Sequence, residues 1–217
     1  MTIQRDPRHC NQHEMLDELA HQAMIDRGLE PDFPDSAMKQ LAGITKSAGS
    51  DAGIRDMRDL LWCSIDNDDS RDLDQLTVAE DLGNGTVRAL VAVADVDGLV
   101  KKGTPIDDHA RHNTTSVYTA ARIFPMLPEK LSTDLTSLVQ DQERLSLVIE
   151  MTVTDAGAVA QSDIYRAVVV NRAKLAYRGV ATWLEGAGPA PAAVTAVLGM
   201  DQQLRLQDRI AQTLKRT

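Results

Sequence analysis

Five aspartates crowd nine positions, Asp66, Asp68, Asp69, Asp72 and Asp74, within the stretch WCSIDNDDSRDLDQLTV. The run stops where an apolar alternation begins. LTVAED and TVRALVAVADV flank LGNG, and Asn84-Gly85 between alternating stretches predicts a β-hairpin over residues 76–95. A core strand must therefore start beside a concentration of like charge. Carboxylates within ~5 Å of each other cost on the order of 3 kcal/mol per pair at an effective dielectric near 20. Three such pairs rival the net stability of a domain. The chain has three ways out: the side chains spread into water, some stay protonated, or a cation neutralises them.

The charge distribution bears on that choice. The 217 residues carry a net charge of −9, which alone argues against a nucleic-acid partner. The excess is local. Residues 61–100 hold nine acids against Arg71 and Arg88, a net of −7, whereas residues 101–130 hold five bases against three acids, a net of +2. An acidic knot followed by a basic segment suits a metal-loaded phosphate site. The N-terminal residues MTIQRDPRHCNQHE have no apolar signal segment, and no run approaches the ~18 apolar residues of a membrane span. The two cysteines, Cys10 and Cys63, read as reduced thiols of a cytoplasmic protein.

The rest of the chain supplies the frame. Residues 12–28 predict an amphipathic helix through Met15, Leu16, Leu19, Ala20 and Ala23, and residues 36–45 predict a second, capped by Asp35 or Ser36. TKSAGSDAG, residues 45–53, reads as a linker. RLSLVIEMTV and DIYRAVVVNRAKLAY, joined by TDAG, predict a second strand pair; RGVATWLEG reads as helical, GAGPAPAA as a flexible break and residues 191–216 as one long helix. The fold class expected is α+β: a curved antiparallel sheet with packed helices over residues 56–217, preceded by a helix-turn-helix-like unit over residues 1–55. Trp62, Cys63 and Trp183 are expected in the core, and His109 and His112 at the surface.

The acidic run is not a twelve-residue calcium loop, because Arg71 stands sixth from Asp66 where glycine is needed and Thr77 twelfth where glutamate is needed. A magnesium-type site remains, as does a plain solvated loop. Asp72 and Asp74 share one face of an extended strand, and a turn over residues 67–71 would return Asp66 to that face.

SIDNDDSRDLDQ resembles the signature of the ribonuclease II family, the RNB catalytic domain. Two further blocks follow in order: residues 91–151, with SVYTAARIFPMLPEKLS the most distinctive part, and NRAKLAYRGVATWLE, residues 171–185. The resemblance implies hydrolysis of single-stranded RNA from its 3′ end to nucleoside 5′-monophosphates, by a monomer whose cofactor is magnesium, with manganese as a substitute. It gives Asp66, Asp72 and Asp74 the metal and water-activating positions, with Gln75 beside them. It makes Tyr118 the aromatic against which the last bases pack, and Tyr177 a second active-site tyrosine that binds RNA. Arg122, Lys130, Arg172 and Lys174 become phosphate contacts along the RNA.

Two departures matter. Gln75 stands where the family has an aspartate that helps hold magnesium; its amide oxygen is a neutral ligand. The family's later Ser-Pro-x-Arg motif and OB-type domain are absent, so the sequence is expected to be the first part of a longer enzyme, with a truncated, non-catalytic RNA-binding chain as the alternative.

Overall fold

A computed structural model describes residues 7–49 and 53–216, with side chains from residue 12 onward. The side chain of Cys10 and residues 50–52 of the expected linker lie outside what is described. The chain divides into two compact units, Met1–Thr45 with Leu99–Glu129, and Lys46–Gly98 with Lys130–Thr217. By packing, residues 99–129 group with the N-terminal segment.

The second unit is built on a seven-stranded sheet. Its strands are β1 (Arg55–Asp56), β2 (Cys63–Asp66), β3 (Gln75–Gly83), β4 (Thr86–Ala94), β7 (Glu143–Thr154), β8 (Val159–Val170) and β9 (Ala173–Ala176), in the spatial order β1-β8-β7-β4-β3-β2-β9. The central ladders are antiparallel; the two end pairs, β1–β8 and β2–β9, are parallel. The hairpin forms where the alternation predicts it. Asn84 and Gly85 take φ of 53° and 73°, as a tight hairpin turn between twisted strands requires.

Alternation along β2 and its approach sends neighbours to opposite faces. Trp62 enters a core with Leu73, Leu76, Leu90 and Val148, while Cys63 enters another with Leu175, Val180 and Trp183. Both Trp62 and Cys63 are fully buried, so this edge of the sheet is covered on both sides. The second face is covered by α4 (Tyr177–Leu184), α5 (Ala192–Thr195) and α6 (Met200–Arg216). The single helix expected over 191–216 is two, because Gly199 at φ 82° cannot continue a helix.

The head unit holds α1 (Pro7–Asp26), α2 (Asp35–Gly43), α3 (Pro105–Asn113) and the short ribbon β5 (Val117–Tyr118) with β6 (Ile123–Phe124). The apolar stripe predicted for the first helix is largely uncovered: Met15, Leu16 and Leu19 are exposed, and Met24 is buried. His109 is not a surface residue. It is buried on α3, its ring 4.3 Å from that of Phe33, with Glu30 Oε2 at 3.1 Å and Asn113 at 3.2 Å. None of the described helices is long and apolar enough to cross a membrane.

Candidate active site

The acidic run spans the connection from β2 to β3. Asp66 ends β2, and its Oδ1 accepts from Asn67 N at 2.7 Å. Ser70 N donates to Asn67 O at 3.2 Å and closes the turn. Residues 71–74 have no regular secondary structure and precede the strand, which starts at Gln75; the expectation that Asp72 and Asp74 sit within a strand is corrected in this respect. The backbone of residues 73–74 is held by Ser137, Leu138 and the end of β4. Leu73 N donates to Ser137 Oγ at 3.0 Å, Leu138 N donates to Leu73 O at 2.8 Å, and Ala94 N donates to Asp74 O at 2.9 Å. Leu73 is buried in the core, so the aspartates on either side of it turn outward.

The three carboxylates share one electrostatic field. Burial, and then the charges of Asp72 and Asp66, push the Asp74 carboxyl above its ordinary range. Asp74 is open to solvent, yet enough protein surrounds its carboxyl for burial to be the larger cause. Asp68 and Asp69 are exposed on the turn.

Leu73 and Leu76 both enter the same core, leaving Asp74 and Gln75 exposed between them. Gln75 lines a cavity of ≈ 520 Å³ with Cys63, Ile65, Thr77, Tyr177 and Gln207. Tyr177 opens α4 directly after Ala176, the parallel register partner of Asp66, and half its surface is exposed. Arg172 immediately precedes β9 and Lys174 lies within it. The Arg172 guanidinium donates to Arg58 O, and Lys174 Nζ donates to Asp68 O at 3.4 Å, on the acidic turn itself. Lys130 is exposed at the start of the Leu131–Leu135 π-helical turn. Tyr118 and Arg122 belong to the head unit: Tyr118 is exposed on β5, and Arg122 lies over the Phe124 ring with Asp17 at 3.4 Å and Asp32 at 3.5 Å.

The donor chemistry fits a hard cation: carboxylate oxygens, an amide oxygen and surplus negative charge. Among the described residues, no three His, Cys, Asp or Glu side chains stand close enough together to hold a metal ion. Hard oxygen donors of this kind are those that magnesium takes while keeping several of its waters. Sequence reasoning missed Ser137, Asn171 and Arg144, the buried polar residues behind the acidic connection; a serine, an asparagine and an arginine scattered over 35 positions carry no local signal.

The fold of the chain is similar to that of solved ribonuclease R structures. Mycoplasma genitalium RNase R in complex with ribose-methylated single-stranded RNA matches with a TM-score of 0.74 and 26% identity over 87% of this chain and 30% of that one. The same enzyme with double-stranded RNA matches with a TM-score of 0.72 over 87% and 34%. Ribonuclease R of Escherichia coli K12 is 39% identical over 156 residues, 71% of this chain and 19% of that protein. The RNB domain pattern matches residues 54–217, and the chain belongs to the RNB family. It spans about a fifth of the length of the curated relatives it matches.

Proposed function

We propose that the chain supplies the acidic half-site of a magnesium-dependent 3′-to-5′ exoribonuclease that hydrolyses single-stranded RNA to nucleoside 5′-monophosphates. The observation that carries this reading is the mutual field of Asp66, Asp72 and Asp74 at the β2–β3 connection of an RNB domain. Asp66, Asp72 and Asp74, with the Gln75 amide oxygen, are the groups that would hold the ion; manganese would substitute. When bound, the ion supplies positive charge against a phosphate and acidifies water. The chain's own residues orient the substrate. Tyr177 and Tyr118 offer exposed rings for bases, which suits an enzyme indifferent to sequence. Arg122, Lys130, Arg172 and Lys174 offer cations to phosphates, although Arg122 is already paired with carboxylates. The head unit guides RNA, and the protein acts as a cytoplasmic monomer.

The test is product analysis. The chain is incubated with labelled oligo(A) and magnesium, and the products are separated by chromatography. Release of 5′-AMP, lost in Asp74→Asn, supports hydrolysis. Equal release by Asp74→Asn would remove Asp74 from the reaction.

A second reading is favoured by one observation: Gln75, beside the acidic run, is neutral and lines a cavity. In that reading the chain binds RNA without cutting it. Retention of oligo(A) in a filter assay with no nucleotide release supports it; nucleotide release eliminates it.

A further inference from the structure

The two arms of the acidic site, the strand bearing Asp66 and the connection bearing Asp72 and Asp74, are tied to one buried segment, Ser137–Leu138. Ser137 Oγ donates to Arg71 O at 2.9 Å and accepts from Leu73 N at 3.0 Å, while Leu138 N donates to Leu73 O at 2.8 Å. On its other side, Leu138 O accepts from Asn171 Nδ2 at 3.0 Å. The same amide group donates to Ser64 Oγ at 3.1 Å, two residues before Asp66. Arg144 anchors the segment from β7: its Nε donates to Ser137 O at 3.0 Å, and its Nη2 donates to Gln142 Oε1 at 2.7 Å and to Asp134 O at 3.2 Å.

Ser64, Ser137, Asn171 and Arg144 are all buried. Buried polar groups cost stability unless each is satisfied, and well-packed apolar side chains would hold a core as well or better. The neighbouring core does use apolar residues, among them Leu90, Val148 and Val169. A satisfied polar network adds geometric definition: it fixes two backbones to each other at hydrogen-bond tolerance. The acidic connection cannot do this alone, because its turn is closed by one 3.2 Å bond and Asn67, Asp68 and Asp69 are exposed.

We propose that Ser137 and Asn171 are positioning residues that set the spacing of Asp66 from Asp72 and Asp74, and with it the affinity of the site for a divalent cation. This rests on the metal-site reading above. Outer partners of metal ligands contribute about 10–100-fold to affinity when they orient the ligands.

The experiment titrates manganese alone into the 217-residue chain, read by electron paramagnetic resonance, with amide hydrogen exchange at Leu73 measured in parallel. Ser137→Ala is expected to weaken manganese binding about tenfold and to speed Leu73 exchange. Ser64→Ala, a milder change if Ser137→Ala fails to fold, is expected to weaken binding while Leu73 exchange stays as in the wild type. Val153→Ala removes packing from a separate core cluster of the same sheet, and is expected to leave manganese affinity unchanged. A wild type that binds manganese, with Ser137→Ala and Ser64→Ala binding equally well, overturns the positioning role alone. Weakening by Val153→Ala to the same extent also overturns it, since general loosening would then suffice. A wild type that binds no manganese overturns the metal reading on which it rests.

Discussion

Asp66 and Ala176 are register partners in the parallel β2–β9 ladder, so Tyr177 begins its helix one residue beyond the level of the first aspartate. Both strands end there together. A base held on the exposed Tyr177 ring would bring its own phosphate toward the acidic connection. Tyr177→Ala is expected to weaken oligo(A) binding by about 1–3 kcal/mol, and Tyr177→Phe to preserve it. Fluorescence anisotropy checks this; equal affinity for Tyr177→Ala removes the ring from RNA contact.

The raised Asp74 carboxyl makes stability depend on pH. The folded chain holds this proton more tightly than the unfolded chain does. Its contribution is therefore full below 3.8, the ordinary value, and is lost as pH rises through the raised folded value. Asp74→Asn is expected to melt about 1–2 °C above the wild type near neutral pH, a small gain because the residue is solvent-exposed. The gain should vanish well below 3.8 and shrink on adding magnesium. Differential scanning calorimetry across pH reads all three.

Gly85 carries the hairpin turn at φ 73°, and a Cβ there would come 2.5 Å from Asp155 Oδ2. Gly85→Ala is expected to cost about 1–2 kcal/mol in urea unfolding. Adding Asp155→Ala relieves the contact but not the backbone strain, so the double variant should recover only part of the loss.

Arg88 on β4 grips Glu150 on β7 with Nε at 2.9 Å and Nη2 at 2.8 Å, and reaches Glu80 on β3 with Nη1 at 2.9 Å. Tyr165 OH also donates to Glu150, at 2.5 Å. The guanidinium, ahead of the tyrosine, holds the Glu150 carboxyl below its usual range against the effect of burial. That stabilisation is present above 4.5 and lost as pH falls through the lowered folded value. Arg88→Met leaves two half-buried carboxylates on neighbouring strands without their cation, at an expected cost of about 2 kcal/mol near neutral pH. The cost should lessen in acid; urea midpoints at two pH values measure it.

The local parts of this fold were legible and the long-range parts were not. Asn84-Gly85 between alternating strands announces the hairpin because turn type and register are both local. The parallel β2–β9 pair is not legible, since no sequence rule matches Cys63 to Ala173 across 110 positions. α3 was overlooked although Pro105 opens it, Asp107 and Asp108 fill its first turn, and Arg111 and His112 its last. Its few apolar residues gave too weak a periodicity. The burial of His109 is not legible either, because its partners Glu30 and Phe33 come from a distant segment. In the acidic run, the crowding of carboxylates is legible in the residue types, and their roles come from the family resemblance. That Gln75 lines a cavity depends on Leu73 and Leu76 entering one core, which spacing alone does not reveal.

The central claim is that Asp66, Asp72 and Asp74 share divalent cations. The most direct measurement is manganese titration of the isotopically labelled chain followed by nuclear magnetic resonance, in which the paramagnetic ion broadens the nearest amides first. The account expects residues 66–75 to broaden at the lowest manganese concentrations, together with the amide of Tyr177, and Asp74→Asn to abolish that selectivity. Broadening spread evenly over the acidic surface, or centred away from residues 66–75, would contradict it.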